Sequence, residues 1–349
     1  MIKNFFWNEA EHRLRMFWRL ALYMLILGVF FLASNVLIGF GLILVAQARG
    51  LLVLDDPQQL SMVLTQLMVE DPLFQAATMA ATLFSIFGAT WLAGFLLDRR
   101  PLKDFGFHFN RRWWADLGFG MALGALLMVL IFATELALGW IRVTGTLSSP
   151  DGAAFWPSIL QGLFGFICVA IYEELFSRGY LLRNLAEGLR LPAWGSRGAL
   201  IVALLLSSSV FGALHLGNPN ASLVSTVLLV AAGIFLALGY VLTGELGIAM
   251  GLHLTWNFFQ GRVFGFPVSG TAPGASFIQI QQGGPDVLTG GAFGPEAGLI
   301  GLAAILLGCG LILVWVRWQY GQAKLQDRLA EYQPPVKPVR VEVIEPGQG

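Results

Sequence analysis

Between Leu20 and Val45 the chain carries no charged side chain at all, and comparable apolar runs recur as far as Val316. A run that long has two homes, the interior of a large protein or a bilayer, and a bilayer admits only backbone whose polar groups are satisfied within the segment. The composition decides between them. Hydrophobic residues make up 56% of the 349 positions and charged residues 12%, with a mean hydropathy of +0.70, against roughly 25% charged residues in an ordinary soluble domain. The expected fold class is therefore all-α, a polytopic membrane helical bundle.

Asking for roughly 20 apolar residues per span, and allowing shorter ones among neighbours, gives eight candidate transmembrane helices. They are 20–45, 75–97, 117–141, 158–182, 199–216, 221–242, 246–260 and 297–316. The first run exceeds the 7–15 residues of a signal-peptide core and lacks a small-residue cleavage site, so it reads as a retained helix. Lys and Arg collect in alternate connections: Arg13, Arg15 and Arg19 before the first span, Arg99, Arg100 and Lys103 after the second, Arg183, Arg190 and Arg197 after the fourth, Arg317 and Lys324 after the last. By the positive-inside rule both termini are expected in the cytoplasm of a multi-pass cell-membrane protein. Lys+Arg and Asp+Glu balance at 21 each, which leaves no electrostatic case for a nucleic-acid partner. Cys168 and Cys309 stand in separate apolar runs and read as buried apolar side chains.

The chain divides into a cytoplasmic N-terminal segment at 1–19, N-terminal transmembrane helices at 20–150, a polar-bearing helical block at 151–260, an extracytoplasmic Gly-rich loop with the last span at 261–318, and a cytoplasmic disordered tail at 319–349. The acidic stretch from Asp55 to Asp71 reads as a solvated connector or, with its scattered Leu and Met, as a short surface helix on the outside. The loop from Gly261 to Gly298 is long enough to be a lid or simply flexible. No internal repeat supports an inverted-repeat transporter.

Against this apolar background the run Tyr172-Glu173-Glu174-Leu175-Phe176-Ser177-Arg178 stands out. Ionisable groups at membrane depth cost several kcal/mol and are functional by default. Glu174 and Arg178 are four apart and can pair on one helical face, whereas Glu173 lies about 100° round the axis without a local cation. Two further spans carry polar groups: Phe211 and His215 share a face of the fifth, and His253 and Asn257 a face of the seventh. His12 and His108 fall in basic connections and read as solvated.

These residue types suit water activation. A carboxylate held in low dielectric becomes a competent base near neutral pH, the role that fits Glu173. A neutral imidazole at His215 can hold the same water and later hand a proton to a leaving amine. His253 and Asn257 can donate to a developing oxyanion, with Glu174, Arg178 and Phe211 in support. The competing readings are a proton- or ion-coupled transporter and a catalytically silent immunity or scaffold protein.

In their order on three apolar helices, Glu173-Glu174-x-x-x-Arg178, Phe211-x-x-x-His215 and His253-x-x-x-Asn257 resemble the three signature motifs of the CPBP family of intramembrane endopeptidases, which includes the type II CAAX prenyl proteases and bacteriocin-processing proteins. The resemblance covers roughly Trp156 to Asn257, and the Leu102–Phe107 segment is also similar. It implies hydrolysis of a peptide bond in a membrane-associated or CAAX-like substrate, with the bilayer as the other partner and residues 151–260 as the catalytic helices. Zinc on Glu173, His215 and His253 is the alternative to a cofactor-free site. No His-Glu-x-x-His is present, and Glu173 cannot easily be both a tight ligand and a free base, so no cofactor is expected.

Overall fold

The computed structural model describes residues 5–51, 57–149 and 153–334, and nearly all of the regular structure is helical. Helix α1 spans Met16–Ala48, α2 Pro57–Glu70, α3 Pro72–Ala93 and α4 Arg111–Ala137. Helix α5, Phe155–Glu174, passes into a π-helical stretch, Leu175–Leu182, and ends helically over Arg183–Gly188. Then follow α6 at Gly195–Leu214, α7 at Leu223–Thr243, α8 at Gly247–Phe258 and α9 at Leu299–Tyr320. Strands β1 (Ile141–Ser148) and β2 (Ser276–Gln282) pair antiparallel and tie the connection after α4 to the one before α9.

Among the described residues, seven helices are long and apolar enough to cross a membrane: α1, α3 with its π-helical extension to Asp98, α4, the α5 rod to Gly188, α6, α7 and α9. The span expected at 246–260 corresponds to α8, which is only 12 residues long and turns π-helical over Phe259–Val263. Helix α8 does not need membrane-spanning length because neighbours enclose it. Its Gly247 and Gly251 press against the backbone of Trp113 and Leu117 in α4, and Gly120 and Gly124 of α4 receive the backbone of Ile248 and Leu252 in return. Paired small residues four apart let two helices touch backbone to backbone. Thr255 Oγ1 locks the contact by donating to the Met121 carbonyl at 2.8 Å.

The Leu102–Phe105 turn sets the start of α8. Gly106, at φ +107°, directs its carbonyl so that it accepts from Trp113 Nε1 at 2.8 Å and from Leu246 N at 3.1 Å. A β-carbon at Gly106 would strike the Leu246 side chain, and the left-handed φ itself favours glycine.

Two sequence expectations need correction, and a choice between two readings is decided. The Asp55–Asp71 connector is largely helix α2, whose Leu67 packs with Leu42, Ala46 and Phe74 in a small satellite core; Asp55 and Asp56 lie outside the described residues. The tail is not disordered from 319. Helix α9 runs to Tyr320, Leu329 and Ala330 are buried, and Gln326 Nε2 donates to the Leu242 carbonyl at 2.9 Å; residues 335–349 lie outside the described residues. Finally, several arginines read as loop cations are interior. Arg13 and Arg100 each meet Glu187, at 2.7 and 2.5 Å, and Arg19 meets Asp98 at 2.5 Å, all five side chains being buried. Tyr332 covers Arg13, with the guanidinium carbon 3.6 Å from the ring centre. The N-terminal segment, the α3–α4 connection, the end of the α5 rod and the C-terminal segment thus meet at one end of the bundle.

Candidate active site

Glu173 and Glu174 occupy the last turn of α5 before the π-helical stretch, and their adjacent positions send them to different surroundings. Glu174 is fully buried. Its Oε1 accepts from Arg178 Nη1 at 2.9 Å and lies 2.8 Å from His253 Nδ1. Arg178, with 1% of its side chain exposed, also donates from Nη2 to the Gly233 carbonyl at 2.9 Å, which anchors it to α7. Glu173 has no arginine or lysine partner among the described residues. Its side chain is 22% exposed and its Oε2 stands 3.9 Å from His253 Nε2. That oxygen is itself shielded and accepts no hydrogen bond.

Phe211 organises the space between the two imidazoles. Its ring lies 4.8 Å from that of His215 and 6.3 Å, edge to face, from that of His253, while the Arg178 guanidinium sits 4.6 Å over its face. A cation over an aromatic face is attracted by the ring quadrupole, and more strongly so when desolvated. His215 caps the C-terminus of α6, where its Nδ1 lies 2.7 Å from the Phe211 carbonyl. A carbonyl only accepts, so Nδ1 of His215 carries a proton, and in the tautomer this selects the lone pair is at Nε2. The Glu174 carboxylate likewise accepts from Nδ1–H of His253.

His215, His253, Asn257, Ser269, Glu296 and the Phe211 ring line a cavity of about 50 Å³. That is room for a few water molecules. Glu173 is not among its lining residues and meets the group through His253. Of the four side chains expected to converge, three share the cavity and the fourth stands at an imidazole of that cavity.

Glu296 was not identified from sequence. It sits in the Gly-rich connection just before α9, is buried, and accepts from Gln260 Nε2 and from Ser269 N at 2.6 Å. Burial pushes its carboxyl up to about 7 from an ordinary 4.5, the two donors only partly opposing it. The one signal in the sequence is a lone carboxylate abutting an apolar run.

With Nδ1 of both histidines engaged, their Nε2 atoms are free, as in metal-ligating imidazoles. Among the described residues, however, no three His, Cys, Asp or Glu side chains converge closely enough to hold a metal ion. The Glu173, His215 and His253 set considered for zinc is therefore not gathered as a metal centre.

Residues 155–259 match the family model described as "Type II CAAX prenyl endopeptidase Rce1-like". The matched segment begins at α5, contains Glu173, Glu174, Arg178, Phe211, His215, His253 and Asn257, and ends just after α8. No curated protein and no solved structure matches the chain.

Proposed function

We propose, from the membership of residues 155–259 in the Rce1-like type II CAAX prenyl endopeptidase (CPBP) family, a family of peptidases, that this chain is an intramembrane endopeptidase. It cleaves a membrane-associated or CAAX-like protein or peptide with water activated by Glu173. The observation that carries the reading is the division of labour between adjacent glutamates: Glu174 is held through Oε1 by Arg178 and His253, its Oε2 being buried and unpaired like Glu173 Oε2, whereas Glu173 has no ion-pair partner among the described residues closer than His253 Nε2 at 3.9 Å.

In this reading each of the four side chains has one step. The free Glu173 oxygen takes a proton from a water molecule held with His215 Nε2, and the resulting hydroxide attacks the scissile carbonyl carbon. The oxygen of that carbonyl becomes an oxyanion. Asn257 donates to it from its amide, and His253 donates from Nε2 in the imidazolium form, whose charge Glu174 balances at Nδ1. Collapse breaks the C–N bond, and the leaving amine takes the proton held by Glu173 or relayed through His215. Phe211 and Arg178 hold the imidazoles at their angles. In this reading the enzyme is a multi-pass protein of the cell membrane, with the arginine-rich end of the bundle in the cytoplasm.

The test compares membrane proteomes of cells carrying the wild-type chain and the Glu173→Gln variant at equal expression. Uncleaved substrate accumulates in the variant, and the missing products identify the scissile bond. Identical proteomes, with equal amounts of folded protein, would sink the proposal.

A further inference from the structure

Among the described residues, Arg262 is a cation without an anion. It follows α8 in the π-helical turn Phe259–Val263, and its guanidinium is cradled where β-carbons on Gly162 and Gly274 would collide with it. Nη1 donates to the Ala275 carbonyl at 3.2 Å, Nε is buried without a partner, and no carboxylate among the described residues pairs with it. A desolvated charge left in this state is costly unless something of opposite sign completes it.

The space beside Arg262 can admit that partner. A cavity of about 800 Å³ opens between the ends of α3 and α5, and Gln75, Gln161, Gly162, Phe166, Val169 and Arg262 are among its walls. The two amides are joined, Gln161 Nε2 donating to Gln75 Oε1 at 2.5 Å. Its floor is one face of α5, since Ser158, Gly162, Gly165 and Val169 are spaced by three or four residues. Nothing lies near a β-carbon built on Gly165, so this face is open. The next residue on the same face is Glu173, four beyond Val169; Glu174 is turned away toward His253.

We infer that this cavity is a subsite for the substrate chain, in which Arg262 binds a carboxylate about five residues from the scissile bond. The spacing comes from the helix: Gly162, against which Arg262 lies, and Glu173 are about 16 Å apart at ~1.5 Å per residue, which an extended peptide covers in about five residues at ~3.3 Å each. Amides and apolar walls suit an extended backbone with small or apolar side chains, and the guanidinium matches a carboxylate in bidentate geometry. The inference rests on the peptidase reading above.

The experiment uses the full-length protein in phosphatidylcholine nanodiscs and a peptide library with a randomised interior, offered with free or amidated C-termini, with cut sites read by mass spectrometry. Sequences bearing Asp or Glu about five residues from the cut are enriched at least fivefold in the amidated set if the carboxylate is a side chain. A cut at that spacing from the chain end, confined to the free-acid set, identifies a terminal carboxylate. Arg262→Gln reduces the enrichment to about one, Arg262→Lys retains most of it, and Arg262→Glu moves it toward Lys and Arg. Cutting without acidic preference, or a preference unchanged in Arg262→Gln, overturns the inference and leaves the peptidase reading standing. The same holds if phosphatidylglycerol co-purifies with the wild type but not with Arg262→Gln while the cut sites are indifferent to acid, which would give the site to a lipid phosphate. If the wild type cuts nothing that Glu173→Gln spares, both readings fall.

Discussion

His253 Nδ1 lies 2.8 Å from the same Glu174 oxygen that receives Arg178 Nη1 at 2.9 Å, so a single buried atom couples α8 to the π-helical stretch after α5. Glu174→Gln removes the charge both partners face and leaves Arg178 as an uncompensated buried cation. Breaking a buried pair from one side costs about 3–5 kcal/mol. We expect Glu174→Gln to lose stability of that order in mixed-micelle denaturation, and Glu173→Gln, whose carboxylate has no such partners, to lose less than about 1 kcal/mol. Equal losses in the two variants would refute the division of roles between the glutamates.

Asn257 lines the water-sized cavity and carries no structural hydrogen bond among the described residues. Asn257→Ala should therefore leave the melting temperature nearly unchanged while lowering kcat by about 10²–10³ with little change in KM, the pattern of a lost oxyanion donor. A change in KM alone would mean that Asn257 binds substrate uniformly and does not act on the transition state.

Much of this site is legible in the sequence, because helix periodicity decides which side chains share a face. The pairs Phe211/His215 and His253/Asn257 are each four apart, and the helices that carry them are announced by their apolar runs. What the sequence could not give is the meeting of distant segments. Glu296 is held at the cavity by Gln260 and Ser269, 36 and 27 residues earlier, contacts with no local signature. Arg13, Arg19 and Arg100 look like loop cations one at a time. Only when four segments meet do Asp98 and Glu187 make their burial tolerable. The bounds expected for α8 were close to those observed, but its counting as a span was wrong for a related reason: nearly all of its residues are buried against protein, and the sign of that was the glycine spacing it shares with α4.

Glu296 predicts a pH dependence of stability. Its carboxyl titrates near 7 when folded and near 4.5 otherwise, so the folded chain holds this proton over a window where the unfolded chain has released it. The contribution is complete below about 4.5, declines as pH rises, and is lost above about 7, a total of about 3.5 kcal/mol at ~1.4 kcal/mol per unit. The groups facing Glu296 are the Gln260 amide, the Ser269 N–H, and His215 and His253 across the cavity. Denaturation of the wild type and of Glu296→Gln should diverge by about that amount between pH 4.5 and 7.5, the wild type weakening relative to the variant. A difference that stays constant across the window would contradict the assignment.

The α4–α8 contact offers the sharpest test of how the fold supports the site. A methyl group on Gly251 would overlap the Leu117 carbonyl oxygen, a backbone atom that cannot step aside. Gly118, one residue beyond Leu117 on α4, has open space around its missing side chain. Overpacking costs about 1–3 kcal/mol, whereas Gly→Ala at an open helical position gains about 0.5–1 kcal/mol of helix propensity. Gly251→Ala should therefore be destabilised and, because α8 carries His253 and Asn257, should lose catalysis beyond the loss of folded protein. Gly118→Ala should be neutral or slightly stabilised with full activity. Melting curves and per-molecule rates on the two alanine variants check this, and a Gly251→Ala protein that is as stable and active as Gly118→Ala would mean that α8 does not owe its position to backbone contact with α4.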